Sequence, residues 1–329
     1  MKMRRILHIL FAFVVIIAVS CSKYNIADTG SENSYIFFEP DMLEITETKA
    51  DLITEFPATD GTSFGVIGYY GDNAPIFTEY TNNIAEVYRS SGVYKYDKLS
   101  PWIGNQHTFY GFYPYTSLLN KVSVGTDNIP YISYTQPATI DGMHDILGTS
   151  LSVTAPVNSV QLHFQHLMWA FRLIVKNSQT KEITSAGEVT NPYLKVTEVI
   201  FKLQGFPSSV DIKLNDGFTV TTNSSLDQSY TLYSNTTGDQ IANAQSKAYG
   251  PLLFVPSKGG LKYQVSIKYV TEAGATGTYT YPSTGYKTVS SDFQSGKAYD
   301  LTIEKKDDKF FIGMAPGDWT LSQFEHSFE

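Results

Sequence analysis

A single cysteine in 329 residues rules out a disulfide within the chain. With six histidines besides, little is available for a centre built on His and Cys ligands. Positive charge is also scarce. Lys and Arg number 24 against 32 Asp and Glu, a formal charge of −8, and no dense Lys/Arg block reverses that balance locally. Nucleic acid and anionic lipid surfaces are therefore excluded as the expected partners. Beyond residue 20 no apolar run approaches the roughly 20 residues that a spanning helix needs. Long runs of Ala, Leu, Glu and Lys, the material of stable helices, are few. No short-period repeat, low-complexity tract, Gly-rich phosphate loop, paired-carboxylate motif or EF-hand spacing is present.

The lone cysteine sits in a telling place. Cys21 follows a basic start (Lys2, Arg4, Arg5) and an apolar run over residues 6–19, broken only by His8. Ala18, Val19 and Ser20 precede it directly. A basic start, a short apolar run and small residues before a cysteine form the pattern of a bacterial lipoprotein signal peptide. Residues 1–20 are then removed and the thiol of Cys21 takes the lipid. Loss of three basic residues moves the formal charge from −8 to −11. The acyl chains insert in a membrane, so no other membrane segment is needed. The competing expectation is an ordinary cleaved signal that happens to end near a cysteine.

What is abundant points to strands. Aromatic residues make up 14% of the chain, with 23 Tyr and 20 Phe, and Val, Ile, Thr and Tyr recur in short runs. Strands are expected at residues 64–70, 108–113, 131–134, 171–176, 194–203, 261–269, 277–281 and 298–304. Residues 261–269 alternate cleanly: Leu261, Tyr263, Val265, Ile267 and Tyr269 share one face, and Lys262, Gln264, Ser266 and Lys268 the other. Such a strand is buried on one side and wet on the other. In 194–203 the alternation slips near Glu198. Residues 83–89 and 141–147 are expected to be helical. The length is soft evidence for two domains. Their border is expected within 151–158, where Pro156 interrupts the pattern, with 177–192 as the alternative. Many short strands separated by Gly, Pro, Asn and Asp predict an all-β antiparallel sandwich or barrel.

Three features resemble chemistry. Gly61, Ser63 and Gly65 match the spacing of a hydrolase nucleophile turn, but that turn needs a strand before it and a helix after it. Here a polar loop precedes and a strand follows, so the expectation is a Gly-containing turn. His163 and His166 have helical spacing for a metal, yet their surroundings are strand-like, and on a strand positions i and i+3 face opposite ways. They are expected to be core or edge histidines. Trp102, Trp169 and Trp319 could stack on a sugar as exposed aromatics, although such residues more often fill a sandwich core.

Several segments, taken in order, resemble one family: the lipoprotein start, residues 34–38 followed by 45–50, residues 64–70, Trp102 leading to 109–114, residues 145–147, residues 162–166 running into 171–175, and 296–301 with a late Asp318 and Trp319. Together they are similar to the fimbrillins, the minor-fimbria-like pilin lipoproteins of type V pili in Gram-negative anaerobes. The resemblance implies two transthyretin-like antiparallel β-sandwich domains. Its division is a signal peptide (1–20), a propeptide with a removable first strand (21–49), an N-terminal sandwich (50–155) and a C-terminal sandwich (156–329). It implies lipid on Cys21, proteolytic processing between Lys49 and Ala50, and a structural, non-enzymatic role with no cofactor. The implied partners are other pilin subunits, joined by strand exchange, and the outer membrane through the lipid, with host or bacterial surface ligands as adhesive targets. Tyr35, Phe37 and their alternates are expected to point into the N-terminal domain. Lys49 stands where the family usually carries Arg, ten residues follow Trp319, and no acidic cluster follows Cys21. These departures suit an anchor or accessory subunit as well as a shaft subunit. The alternative function is a surface lipoprotein that binds glycans through exposed aromatics.

Overall fold

The computed structural model describes residues 35–42, 55–257 and 261–318. Ten strands occupy its first half: β1 (Phe38–Met42), β2 (Ser63–Tyr70), β3 (Ala74–Pro75), β4 (Ile84–Ser90), β5 (Val93–Lys95), β6 (Gln106–Tyr113), β7 (Val122–Val124), β8 (Pro130–Thr135), β9 (Leu147–Thr154) and β10 (Val160–His166). The second half adds β11 (Trp169–Asn177), β12 (Lys181–Thr184), β13 (Gly187–Thr190), β14 (Leu194–Lys213), β15 (Val220–Ile241) and β16 (Gln245–Phe254). It ends with β17 (Leu261–Thr271), β18 (Thr276–Tyr281), β19 (Lys287–Val289), β20 (Lys297–Lys306) and β21 (Lys309–Asp318). Among the described residues helix is confined to single turns, so the fold is all-β, as expected.

The first sheet runs β1-β10-β9-β6-β2-β4-β5, with β3 hung on β2. Its centre is built on a fit between glycines and rings. Gly65 lies opposite Phe112, and Gly68 opposite Phe109. A Cβ on Gly65 would come within 2.1 Å of the Phe112 ring. Each glycine thus gives up its own side chain to let a cross-strand ring lie over the backbone, which explains why FGVIGYY and FYGFY pair. The inward face of this sheet carries Phe38, Phe64, Val66, Phe109, Leu162 and Phe164, and Phe77 packs on them from the connection after β3.

Two further sheets, β16-β11-β20-β21 and β18-β17-β14-β8-β7, face each other. Phe171 of β11 stacks on Phe201 of β14 with ring centroids 4.1 Å apart. Trp169 is fully buried between Phe254 and Phe293 and donates its indole N–H to the carbonyl of Val255 at 2.7 Å. The pairing interleaves along the chain. β7 and β8, before residue 155, join a sheet of the second core, whereas β10, after it, joins the first sheet.

Leu194, Val196, Val199 and Phe201 are all fully buried, and the change of phase between them is a register shift between Val196 and Glu198 against both neighbouring strands. The helix expected over 83–89 is not formed. Residues 84–90 are β4, paired with β2 through Val87↔Phe64 and Ala85↔Val66, with Ile84, Ala85 and Val87 buried. Sheet pairing overrides the local helical preference of Ala85 and Glu86. Likewise, 141–147 yields one 3₁₀ turn at Ile140–Gly142 before β9 begins at Leu147.

Candidate functional site

β1 is the strand that makes the first sheet unusual. It pairs with β10 in parallel, Phe38↔Val160 through Met42↔Phe164. On its other flank, Tyr35 bridges Pro101 in antiparallel sense. The segment thus lies in a slot against β10, closed at Tyr35 and Ile36 by the loop that follows β5 and open along the outer edge of Phe38–Met42. Main-chain bonds hold both sides: Val160 N donates to the Phe37 carbonyl (2.7 Å), and Ile36 N donates to the Ser100 carbonyl (3.0 Å). Tyr96 clamps the junction by donating its hydroxyl to the Ile36 carbonyl (2.8 Å) and accepting from Ser100 N (3.2 Å). Burial pushes the Tyr96 hydroxyl well above the ordinary tyrosine range, so it stays a donor.

The side chains of this segment divide by parity. Ile36 (0% exposed) and Phe38 (3%) fill the first core, where Phe38 touches Phe77, Tyr96 and Phe109. Tyr35 is 37% exposed and Phe37 half-buried. The inward phase is thus Ile36 and Phe38, and the expectation that Tyr35 and Phe37 point inward is corrected. Four consecutive apolar residues carry no alternation of their own. The phase comes from Glu39 and Asp41, which must face water. On that wet face Gln161 Nε2 donates to Glu39 Oε2 at 2.6 Å, and His163 Nδ1 lies 2.5 Å from Asp41 Oδ1.

Pro40 adds a detail of edge chemistry. Successive residues of a strand aim their main-chain groups to opposite sides. Phe37 faces β10 and Ile36 the opposite flank, so Pro40, in step with Ile36, faces away from β10. Its missing N–H removes nothing from the β1–β10 ladder and blunts the outer edge against another strand.

Cys21, Lys49, Ala50 and Trp319 lie outside the described residues. Ser63 opens β2 and runs directly into strand, as its context predicted. His163 and His166 face opposite ways: His163 is the exposed partner of Asp41, whereas His166 is buried with its Nδ1 2.7 Å from Asp145 Oδ2. Among the described residues no group of three His, Cys, Asp or Glu side chains could hold a metal ion. No helix there is long and apolar enough to cross a membrane. Trp169 is a core residue, and Trp102 packs edge-on against His107, their ring centroids 4.7 Å apart. Sequence reasoning missed the parallel β1–β10 pair, although the alternation of residues 160–166 (VQLHFQH) beside the acids of 38–42 (FEPDM) carried its signal.

Comparison with known proteins shows the family. A family model described as Fimbrillin-like matches residues 48–319. The chain belongs to the fimbrillin-like family. That family is one of fimbrial structural proteins rather than enzymes. The match begins at 48, so β1 lies ahead of the shared segment. Among solved structures, a fimbrial protein from Bacteroides vulgatus aligns with a TM-score of 0.54 at 17% identity, over 78% of this chain and 93% of its own. A candidate cell-adhesion protein from Bacteroides ovatus aligns at 0.53 and 15%, over 88% of this chain and 98% of its own. One from Bacteroides uniformis aligns at 0.50 and 13%, over 87% and 99%. At these identities the likeness is one of fold. No curated protein matches this fimbrillin-like chain.

Proposed function

We propose that this fimbrillin-like protein is a structural subunit of a type V pilus, serving as shaft, tip or anchor. It is exported as a lipoprotein through Cys21 and held at the outer membrane, the cell surface or the fimbrium. Processing between Lys49 and Ala50 frees β1 from the rest of the chain, and a terminal strand of a neighbouring subunit takes its place. Two transthyretin-like sandwiches, divided near 155/156 in sequence, form the body, with β7, β8 and β10 crossing that division.

The observation that carries this proposal is the seat of β1. It is a five-residue strand that belongs to the sheet only through an edge pairing, yet its Phe38 ring lies in the core. Removing it exposes unpaired N–H and C=O groups on β10 and an apolar socket, the two things a donated strand satisfies. Family membership supports the pilus role.

The test is the N-terminal residue of the protein recovered from cells, combined with metabolic labelling by a fatty-acid analogue. Wild type should carry label and Cys21→Ala should not. Fimbriae should yield chains starting at Ala50 if the subunit polymerises. A chain that keeps its lipid and stays uncut at Lys49 is the anchor. Equal labelling of wild type and Cys21→Ala would remove the lipoprotein step.

A further inference from the structure

We infer that Gln161 and His163 select which strand can occupy the β1 slot, and that they admit one carrying carboxylates on its outward face. The inference rests on the proposal that the slot exchanges its strand.

Neither the ladder nor the socket can make this choice alone. Main-chain pairing along β10 accepts any extended chain. The socket asks for apolar residues at the Ile36 and Phe38 positions. A slip of one residue would turn those side chains to water, so alternation forbids it, but a slip of two keeps an alternating strand in phase. Something else must distinguish registers two residues apart.

The outward rungs do this. β10 presents Gln161 and His163 two residues apart on its wet face, opposite Glu39 and Asp41. Each reaches one carboxylate, at 2.6 and 2.5 Å. Gln161 is braced as well, with its Nε2 2.8 Å from Ser159 Oγ. In the observed register both rungs are filled. A slip of two residues leaves one rung without its carboxylate. A strand with Lys at the Asp41 position sets a cation against His163. The site thus recognises a parallel strand with apolar residues inward and acids at two successive outward positions.

Both rungs are solvent-exposed, so each carboxylate is expected to contribute about two- to five-fold in affinity, and the pair about tenfold. The experiment uses the full chain with a specific protease site inserted within 43–54, cut so that the β1 fragment stays in place by non-covalent contacts alone. Its displacement is followed with synthetic peptides of residues 35–42: the native sequence, single Glu39→Gln and Asp41→Asn versions, the double amide version, and an Asp41→Lys version. Native peptide should displace the fragment best, the double amide version about tenfold less well, and the lysine version least. In His163→Ala protein, which has no side-chain donor at that rung, the native peptide should lose its advantage over the Asp41→Asn peptide and keep its advantage over the Glu39→Gln peptide. If native and double amide peptides exchange equally well, selection by these rungs is wrong and exchange stands. If no peptide enters although the cut protein stays folded, exchange itself is wrong. The contacts are checked separately in the uncut chain, where Asp41→Asn and His163→Ala should be less than additive in stability. Full additivity would overturn the assignment whatever the peptides do.

Discussion

The ring of Phe38 meets the ring of Phe109 edge-on, with centroids 5.3 Å apart and planes at 81°. One ring belongs to the edge strand β1 and the other to β6, near the middle of the sheet, so β1 is tied to the centre of the first core as well as to its edge. Truncating Phe38 should therefore act as a core mutation. Phe38→Ala is expected to cost about 3–5 kcal/mol. Phe37→Ala, on the opposite face and half-buried, should cost only about 1 kcal/mol. Equilibrium denaturation of the two variants checks the phase of β1. Equal losses would mean that the strand is not seated with Ile36 and Phe38 inward.

Gly65 and Phe112 make the second prediction. A Cβ at position 65 would sit within 2.1–2.7 Å of three ring atoms of Phe112, a residue with no exposure and little room to move. Gly65→Ala is expected to destabilise by about 1–3 kcal/mol through overpacking. Combining it with Phe112→Leu should cost less than the sum of the single changes, because the shorter side chain vacates the space over residue 65. Additive losses would show that the ring does not lie over Gly65 in solution.

How much of this could be seen in the sequence depends on how much each strand is forced to alternate. β17 was legible because water on one side and core on the other leave Leu261, Tyr263, Val265 and Ile267 no freedom of phase. The slip at Glu198 was legible for the same reason, since a bulge must show as a break in an otherwise regular pattern. The fates of His163 and His166 followed from strand geometry alone. β15 was invisible: its 22 residues are mostly exposed and polar on both faces, so burial imposes no pattern on them. The phase of β1 was misjudged because Tyr35, Ile36, Phe37 and Phe38 are all apolar, and the acids that set it, Glu39 and Asp41, lie just beyond them. The interleaving of β7, β8 and β10 was hidden for a different reason. Alternation shows that a strand has a buried face, not which distant strand it pairs with.

Buried tyrosines predict the alkaline limit of stability. Burial raises the hydroxyls of Tyr96, Tyr134, Tyr230, Tyr249 and Tyr263 above their ordinary value. In the unfolded chain these groups ionise near pH 10, and in the folded chain only at higher pH. Their contribution is therefore complete below about pH 10 and is lost as pH rises through the folded values. Unfolding free energy should be flat on this account up to about pH 10 and then fall. Absorbance near 295 nm should show a fraction of tyrosines ionising only as the protein unfolds. Tyr96→Phe should remove one of these late titrations. It should also loosen β1, because the hydroxyl that holds the Ile36 carbonyl is gone. Tyrosines that all titrate together near pH 10 before unfolding would contradict their burial.

The last prediction concerns the bond after Lys49. A strand that must leave needs an accessible bond beside it, and exposed connecting segments are where proteases cut. Limited digestion with a lysine-specific protease should cut after Lys49 early, giving a core that begins at Ala50. Residues 21–49 hold six acids and two bases, so the formal charge moves from −11 for residues 21–329 to −7 for that core. Cutting alone should not release the fragment. The β10 ladder, the Phe38 socket and the Tyr96 clamp all persist until another strand competes for them. Mass spectrometry should find both pieces together at first. Size-exclusion chromatography should then show the core associating with itself or with a partner subunit once β1 has gone. A core that sheds β1, stays monomeric and ignores added pilin tail peptides would rule out strand exchange through this slot. A chain that resists the cut altogether would leave β1 as a permanent edge strand, and the protein would then suit the base of a fibre better than its shaft.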